Sequence, residues 1–152
     1  MKTEPCSRNV GADGLGAMLG LVRTEMVRAM EAELAQSDID LRFTQFLILK
    51  RLARMGPMMA TELARAIELD GGAMTRQLDQ LEGRGYLRRS PHEQDRRALR
   101  IELTETGKAI SAKMFGCSER VLAAAQRSLS ADEQLQLNDY LERVLRALRD
   151  KA

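Results

Sequence analysis

A mainly α-helical fold carrying a small β-hairpin wing is predicted by three features of this 152-residue chain. Apolar residues recur at three- and four-residue spacing over most of its length, the period of one helix face. Between 61 and 104 that period gives way to two short amphipathic segments and then two strand-like ones, Tyr86 to Ser90 and Ala98 to Leu103, where Ile101 and Leu103 alternate with Arg100 and Glu102. Six arginines (84, 88, 89, 96, 97, 100) crowd into 84–100 against Glu93 and Asp95, a balance of +4 that leaves the other residues at −2 within a total of +2. A helix pair can set its second member in a DNA major groove while a basic hairpin beside it reaches the backbone or the minor groove. The pattern implies a winged helix-turn-helix within an all-helical dimerisation frame.

Each element follows from its residues. Residues 1–12, with Pro5 and Gly11, lack periodicity and read as a flexible N-terminus. From Leu15 to Leu34 an apolar stripe runs through Leu19, Val22, Met26 and Met30, a long amphipathic helix. After a polar break at 36–41, Thr44 is expected to cap a second helix to Met55, with Phe46, Leu47, Leu49 and Leu52 apolar. Gly56-Pro57 ends it, since glycine suits the position after a helix and proline cannot continue one. Thr61 is expected to cap a short helix that turns Leu63, Ala64 and Ile67 inward. Asp70 caps the next, to about Arg84, which buries Met74, Leu78 and Leu81 and presents Gly72, Ala73, Arg76, Asp79, Gln80 and Gly83, with Thr75 at the border.

Gly85 stops that helix, and Pro91 to Arg97 joins the two strands. Thr104 caps a helix to about Leu129 striped by Ile110, Met114, Cys117 and Val121. Ser130 and Glu133 form a capping box for the last helix, striped by Leu137, Leu141, Val144 and Leu148. The resulting division is a DNA-binding lobe over 44–103 and a helical dimerisation region over 13–43 and 104–152. Three long stripes exceed what a lobe of about 60 residues can cover, and a two-fold homodimer is the commonest solution.

Several classes are excluded. Two distant cysteines, Cys6 and Cys117, suit a reduced, cytoplasmic protein. No apolar run reaches the roughly 18 residues of a membrane span, and Lys2, Glu4 and Arg8 stand where a signal peptide needs an apolar core. Aromatics at 3% and the absence of Trp argue against single-strand binding by base stacking. With one histidine, no phosphate loop, no metal-spaced cluster and no nucleophile beside a base, neither an enzyme nor a cofactor or metal site is expected.

The run Leu69-Asp70, Met74-Thr75-Arg76, Leu78-Asp79-x-Leu81-Glu82-x-Arg84-Gly85, Asp95-Arg96-Arg97 and Leu103-Thr104-Glu105-x-Gly107 resembles the multiple antibiotic resistance regulator (MarR) family of bacterial transcription factors over about 44–110. The resemblance implies a ligand-responsive regulator, a repressor in most relatives, bound to a palindromic operator as a homodimer. It also implies that Arg97 enters the minor groove and Asp95 steadies it. Relatives often carry Ser or Thr where this chain has Gly72 and Ala73, so readout would rest either on closer backbone approach or on the wing and DNA shape.

The residues themselves agree. Arg76 can contact phosphate or a guanine edge, Thr75 lies near helix-end amides, and a wing arginine suits the negative potential of a narrow minor groove. Asp95 would orient the Arg97 guanidinium by a charge-assisted bond. The full set expected at DNA is Thr61, Gly72, Ala73, Thr75, Arg76, Gln80, Arg88, Arg89, Arg96 and Arg97. For Arg88, Arg89, Arg96 and His92 a solvated charge weighs equally; Arg84 is expected to cap its helix or pair with Asp79 or Glu82, and Asp79 to bridge Arg76 at i, i+3. The small aromatic or anionic ligand that the resemblance implies would sit between the dimer helices and the lobe, with Arg23, Met26, Met30, Phe43, Phe46 and Met114 as candidate lining or plain core. Two competing readings are a winged adaptor that binds protein and a regulator that senses oxidants through Cys6 or Cys117; the clustered arginines favour DNA.

Overall fold

The computed structural model describes residues 14–95 and 97–151. Their order is α1 (Gly14–Gln36), α2 (Phe43–Met55), β1 (Met58–Met59), α3 (Ala60–Ala66), α4 (Gly71–Gly83), β2 (Leu87–Pro91), β3 (Leu99–Leu103), α5 (Glu105–Gln126) and α6 (Ala131–Arg149). The expected N-terminal tail, Cys6 and Arg96 lie outside the described residues.

Most helix ends are satisfied by the residues that the sequence nominates. The Asp70 carboxylate accepts from the Ala73 amide at 2.9 Å, and the Thr104 hydroxyl from Gly107 at 3.0 Å. At α6 the reciprocal box is complete, Ser130 N to Glu133 Oε2 at 2.7 Å and Glu133 N to Ser130 Oγ at 3.2 Å. Gly56 and Gly85, with φ of 79° and 77°, take the left-handed backbone that only glycine adopts freely.

Two caps differ from expectation. Helix α2 begins at Phe43, because Gln45 Oε1 accepts from the Arg42 amide at 3.2 Å and Glu31 of α1 accepts from Phe43 at 3.0 Å; with those donors satisfied, Thr44 lies inside the helix. Helix α3 begins at Ala60, where Glu62 Oε2 accepts from the Met59 amide at 3.1 Å, so Thr61 is an exposed first-turn residue.

A third strand joins the hairpin. Met58 and Met59 pair with Ile101 and Arg100, giving an antiparallel sheet of order β1-β3-β2. Two residues are too few to show alternation, and the sheet exists only once β3 supplies an edge. The hairpin is in register from Leu87↔Leu103 to Pro91↔Leu99. Its inward residues Leu87 and Ile101 join one core with Leu63, Met74, Leu78 and Leu81 of the helix pair, Phe46, Ile48, Leu49 and Leu52 of α2, and Met114 and Cys117 of α5.

The terminal helices are only partly used by one protomer. On α1 only Met30 and Leu34 are buried, whereas Leu15, Met18, Leu19, Leu21 and Val22 stand exposed. Helix α6 buries no residue, and Leu135, Leu137, Tyr140, Leu141, Leu145 and Leu148 face outward, as do Phe115 and Leu122 of α5. Among the described residues no helix is long and apolar enough to cross a membrane.

Gly107 locks the wing to α5. A Cβ there would stand 1.8 Å from the Tyr86 carbonyl oxygen, an oxygen that also accepts from the Thr104 amide at 3.1 Å. Gly107→Ala must displace backbone, and we expect a loss of about 1–3 kcal/mol or more, read as a lower urea midpoint than wild type.

Candidate nucleic-acid interface

The helix pair places α4 with Met74, Leu78 and Leu81 buried and Gly72, Thr75, Arg76, Asp79, Gln80 and Gly83 exposed; Ala73 is half-buried. Strand β2 lies beside it. Arg89 crosses from β2 to α4, donating through Nη2 to Asp79 Oδ1 at 2.7 Å, with Glu82 at 3.7 Å from Nη1 and the Thr75 carbonyl at 3.5 Å. With its side chain only 21% exposed, Arg89 fixes the hairpin to the helix; it is not the free cation that the sequence suggests. The same contact corrects Asp79, which pairs with Arg89 across the packed interface and leaves Arg76 alone.

Other basic residues are also engaged. Arg88 Nε lies 2.5 Å from Glu102 on the paired strand, a cross-strand match that consumes its charge locally. Arg84 reaches neither Asp79 nor Glu82. Its Nη1 donates to the Asp40 carbonyl at 2.5 Å, and its guanidinium lies 5.1 Å over the Tyr86 ring, which ties the end of α4 to the α1–α2 connection. Arg76 and Arg97 are exposed and hold no side-chain partner among the described residues. Gln80, though exposed, accepts through Oε1 from Gln45 Nε2 at 2.9 Å.

Asp95 shapes the wing tip by a different contact from the one expected. Its carboxylate accepts from the Arg97 backbone amide at 3.0 Å, and its carbonyl from Ala98 at 3.1 Å, while His92 N bonds to Ala98 O at 2.9 Å. An aspartate readily bonds to the backbone two residues on, and that turn projects Arg97 from the loop.

A groove of about 970 Å³ opens between α2, the base of the hairpin and α5. Phe46, Leu103, Met114 and Phe115 supply its apolar wall; Lys50, Arg54, Arg88 and Lys108 supply cations against Glu102 and Glu105. Lys50 Nζ lies 5.4 Å over the Phe46 ring and donates to Ser118 Oγ at 3.3 Å. The hydroxyl of Ser111 is buried in the wall with no hydrogen-bond partner among the described residues. The Lys108 ammonium, by its hydrogen bond and then its charge, holds the Glu105 carboxyl below the usual carboxylate range.

Of the six lining candidates, only Phe46 and Met114 face this groove. Met30 is core, Phe43 stacks on Phe46 at 5.8 Å between ring centroids, and α1, with Arg23 and Met26, contributes no lining residue. Lys50, Arg54, Lys108 and Ser111 line the groove and are not among the residues that the sequence nominates. Their signal is polar residues on the groove-facing side of α2 and α5, at 50 and 54 and at 108, 111 and 118. Cys117 is fully buried, its thiol 3.4 Å from Ser37 Oγ and 3.5 Å from Arg120 Nη2.

Residues 41–99 match the model of the MarR family. The multiple antibiotic resistance protein MarR of Salmonella typhimurium is 30% identical over 135 residues, 86% of this chain and 90% of that protein. The HTH-type transcriptional repressor NicR of Pseudomonas putida is 30% identical over 108 residues, covering 71% of this chain and 68% of the repressor. A crystal structure of a mutant MarR from E. coli complexed with operator DNA superposes with a TM-score of 0.80 at 28% identity, over 86% of this chain and 93% of that one. A MarR transcriptional regulator from Methanosarcina mazei, at 21% identity, shares the fold with a TM-score of 0.83 over 92% of this chain and 99% of that one.

The Arg89–Asp79 pair couples wing and helix through one partly exposed contact. A double-mutant cycle with Asp79→Ala and Arg89→Ala is expected to return a coupling of about 0.5–1 kcal/mol that shrinks in molar salt. A cycle energy of zero in dilute buffer removes this tie.

Proposed function

The chain belongs to the MarR family of transcriptional regulators, and we propose that it grips a palindromic operator in double-stranded DNA as a homodimer, with a small anionic ligand in the α2–α5 groove governing release. The observation that carries the DNA half is the pair of unengaged guanidiniums, Arg76 on the outer face of α4 and Arg97 on the wing, on elements that Arg89 holds together. Arg76 suits the major groove and Arg97 the narrow minor groove. Thr61, Gly72, Ala73 and Thr75 complete the approach surface, and Arg88, Arg89 and Gln80 support it from their tied positions. Residues 44–103 form the DNA-binding lobe and the helices on either side the dimer frame. Two such lobes related by a two-fold axis meet half-sites about one helical turn apart. Repression follows if the operator overlaps a promoter; the relative NicR is a transcriptional repressor.

The uncovered apolar faces of α1, α5 and α6 support the homodimer, because stripes of this length are rarely left to water. Lys50 and Arg54, which have no carboxylate partner among the described residues, an apolar wall with two phenylalanines and the Ser111 hydroxyl support a small aromatic anion in the groove. Such a ligand acts only as far as it prefers one of the DNA-bound and DNA-free forms. Full burial of Cys117 counts against oxidant sensing at that thiol.

Arg97→Ala is expected to weaken operator binding by more than about tenfold, in an anisotropy titration, while sizing chromatography still returns a dimer; an unchanged affinity refutes the wing assignment. The logarithm of wild-type affinity should fall linearly with that of salt, and a flat plot rejects the electrostatic argument. In a thermal-shift panel of phenolic acids, wild type is expected to gain stability with a binder that also releases DNA, and Lys50→Met with Arg54→Met to lose that gain. A panel without any shift removes the ligand half.

A further inference from the structure

Resting on the reading of α4 as a helix that faces DNA, we propose that Gln45, buried on α2, is a positioning residue. It fixes the direction of the Gln80 side-chain amide so that duplex DNA meets the NH2 end and not the carbonyl. A glutamine amide carries two donors at one end and an acceptor at the other, and either end can turn outward. Gln80 lies on an exposed flank of α4, one helical turn beyond Arg76. The end it shows decides what it can recognise. Both ends together suit adenine, which offers a donor beside an acceptor, whereas the NH2 end alone suits an acceptor such as a phosphate oxygen or a purine N7.

The direction is set from the backbone outward. The Arg42 amide heads α2, and a backbone N–H can only donate. It donates to Gln45 Oε1 at 3.2 Å, which turns the Gln45 carbonyl to the helix start and its Nε2 away. That Nε2 lies 2.9 Å from Gln80 and can also only donate, so the atom that meets it is Gln80 Oε1. Turning Gln45 over would set two donors face to face at Arg42, and turning Gln80 over would do the same between the two amides. At 5% exposure Gln45 has little water with which to replace either bond. The next amide, that of Phe43, is taken by Glu31 Oε1 of α1 at 3.0 Å and does not compete for Gln45.

The neighbour of Gln80 on α4 is treated in the same way. The Asp79 carboxylate is tied back by Arg89 of β2 at 2.7 Å, as the Gln80 carbonyl is by Gln45 of α2. Two adjacent acceptors are thus turned toward other elements, while the Gln80 NH2 stays on the exposed side with the Arg76 guanidinium. A surface with acceptors tied back and donors left outward matches a polyanion whose backbone oxygens all accept. Bidentate pairing with adenine needs both ends of the amide turned to DNA, and the carbonyl end is turned to α2.

The test is an anisotropy titration of intact wild type, Gln45→Glu, Gln80→Ala and the double variant against a duplex that wild type selects from a random library. Mildly alkaline buffer keeps a carboxylate at position 45 ionised. Gln45→Glu retains an acceptor for the Arg42 amide but faces Gln80 with a second oxygen, which obliges Gln80 to turn its carbonyl outward. It is expected to weaken binding by about tenfold, as Gln80→Ala does, and to add little in the Gln80→Ala background. No loss, or an equal loss in both backgrounds, overturns the proposal, because a charge or packing defect at 45 acts without Gln80. In wild type the Gln80 side-chain NH2 resonance, identified by its absence from Gln80→Ala, should shift when duplex is added; an unmoved resonance also overturns it. An equal loss by Gln80→Ala on selected and scrambled duplexes assigns the acceptor to a phosphate, and a loss confined to the selected duplex assigns it to a base edge. A strict adenine preference that Gln80→Ala abolishes would put both ends of the amide at the DNA and overturn the proposal. Wild-type protein that retains no duplex at low salt would instead overturn the DNA-binding reading beneath it.

Discussion

Burial of α2 is the constraint on which the other elements depend. Five of its thirteen residues are buried, and it touches α1, α4, α5 and β3. Phe46, Ile48, Leu49 and Leu52 enter the common core, so the helix pair, the hairpin and α5 all pack on one rigid rod. Close packing transmits small shifts because interiors hold few voids and yield little. Gln45 on this rod holds Gln80 on α4, while Phe46 and Lys50 next to it wall the groove. The groove and the reading helix thus share a support, and a group that displaces α2 acts on both.

The basic cluster carries less free charge than its count suggests. Of the arginines between 84 and 100, Arg84 is spent on a carbonyl and a ring, Arg88 on Glu102, and Arg89 on Asp79 and Glu82. These contacts join α4 to the α1–α2 connection, β2 to β3, and β2 to α4. Partly exposed pairs of this kind add little stability each, but they fix direction. Among the described residues, Arg76, presented by a helix, and Arg97, presented by a turn that Asp95 shapes through the backbone, stay exposed for a polyanion, and the half-buried Arg100 of β3 has no carboxylate partner either.

The long helices divide between two tasks. The C-terminal part of α1 and the middle of α5 complete the protomer core through Met30, Leu34, Met114, Cys117 and Val121. The rest of α1 and all of α6 present leucines to solvent within one chain. Apolar stripes of that length contribute when a second surface removes them from water, at about 25 cal/mol per Å². Part of α1 and of α5 therefore shares one core with the helix pair and hairpin, while the rest of α1, and α6, are left uncovered within one chain.

Helix number, most caps and the hairpin were legible in the residue order, because hydrophobic period, capping chemistry and turn glycines act over a few neighbours. Asp70, Gly85, Thr104 and the Ser130–Glu133 box belong to that class. So did the exposure of Arg76 and Arg97, which follows from helix phase and loop position. Illegible were the partners of Arg84, Arg88, Arg89, Asp79 and Gln80, the two-residue strand β1, the true starts of α2 and α3, and the groove built from Lys50, Arg54, Lys108 and Ser111. Each of these depends on which side chain arrives from another element, as Glu31 does at Phe43 and Gln45 at Gln80, across 12 and 35 residues. Local rules rank the i, i+3 partner first; packing brings a distant group closer, and at these positions the closer group wins.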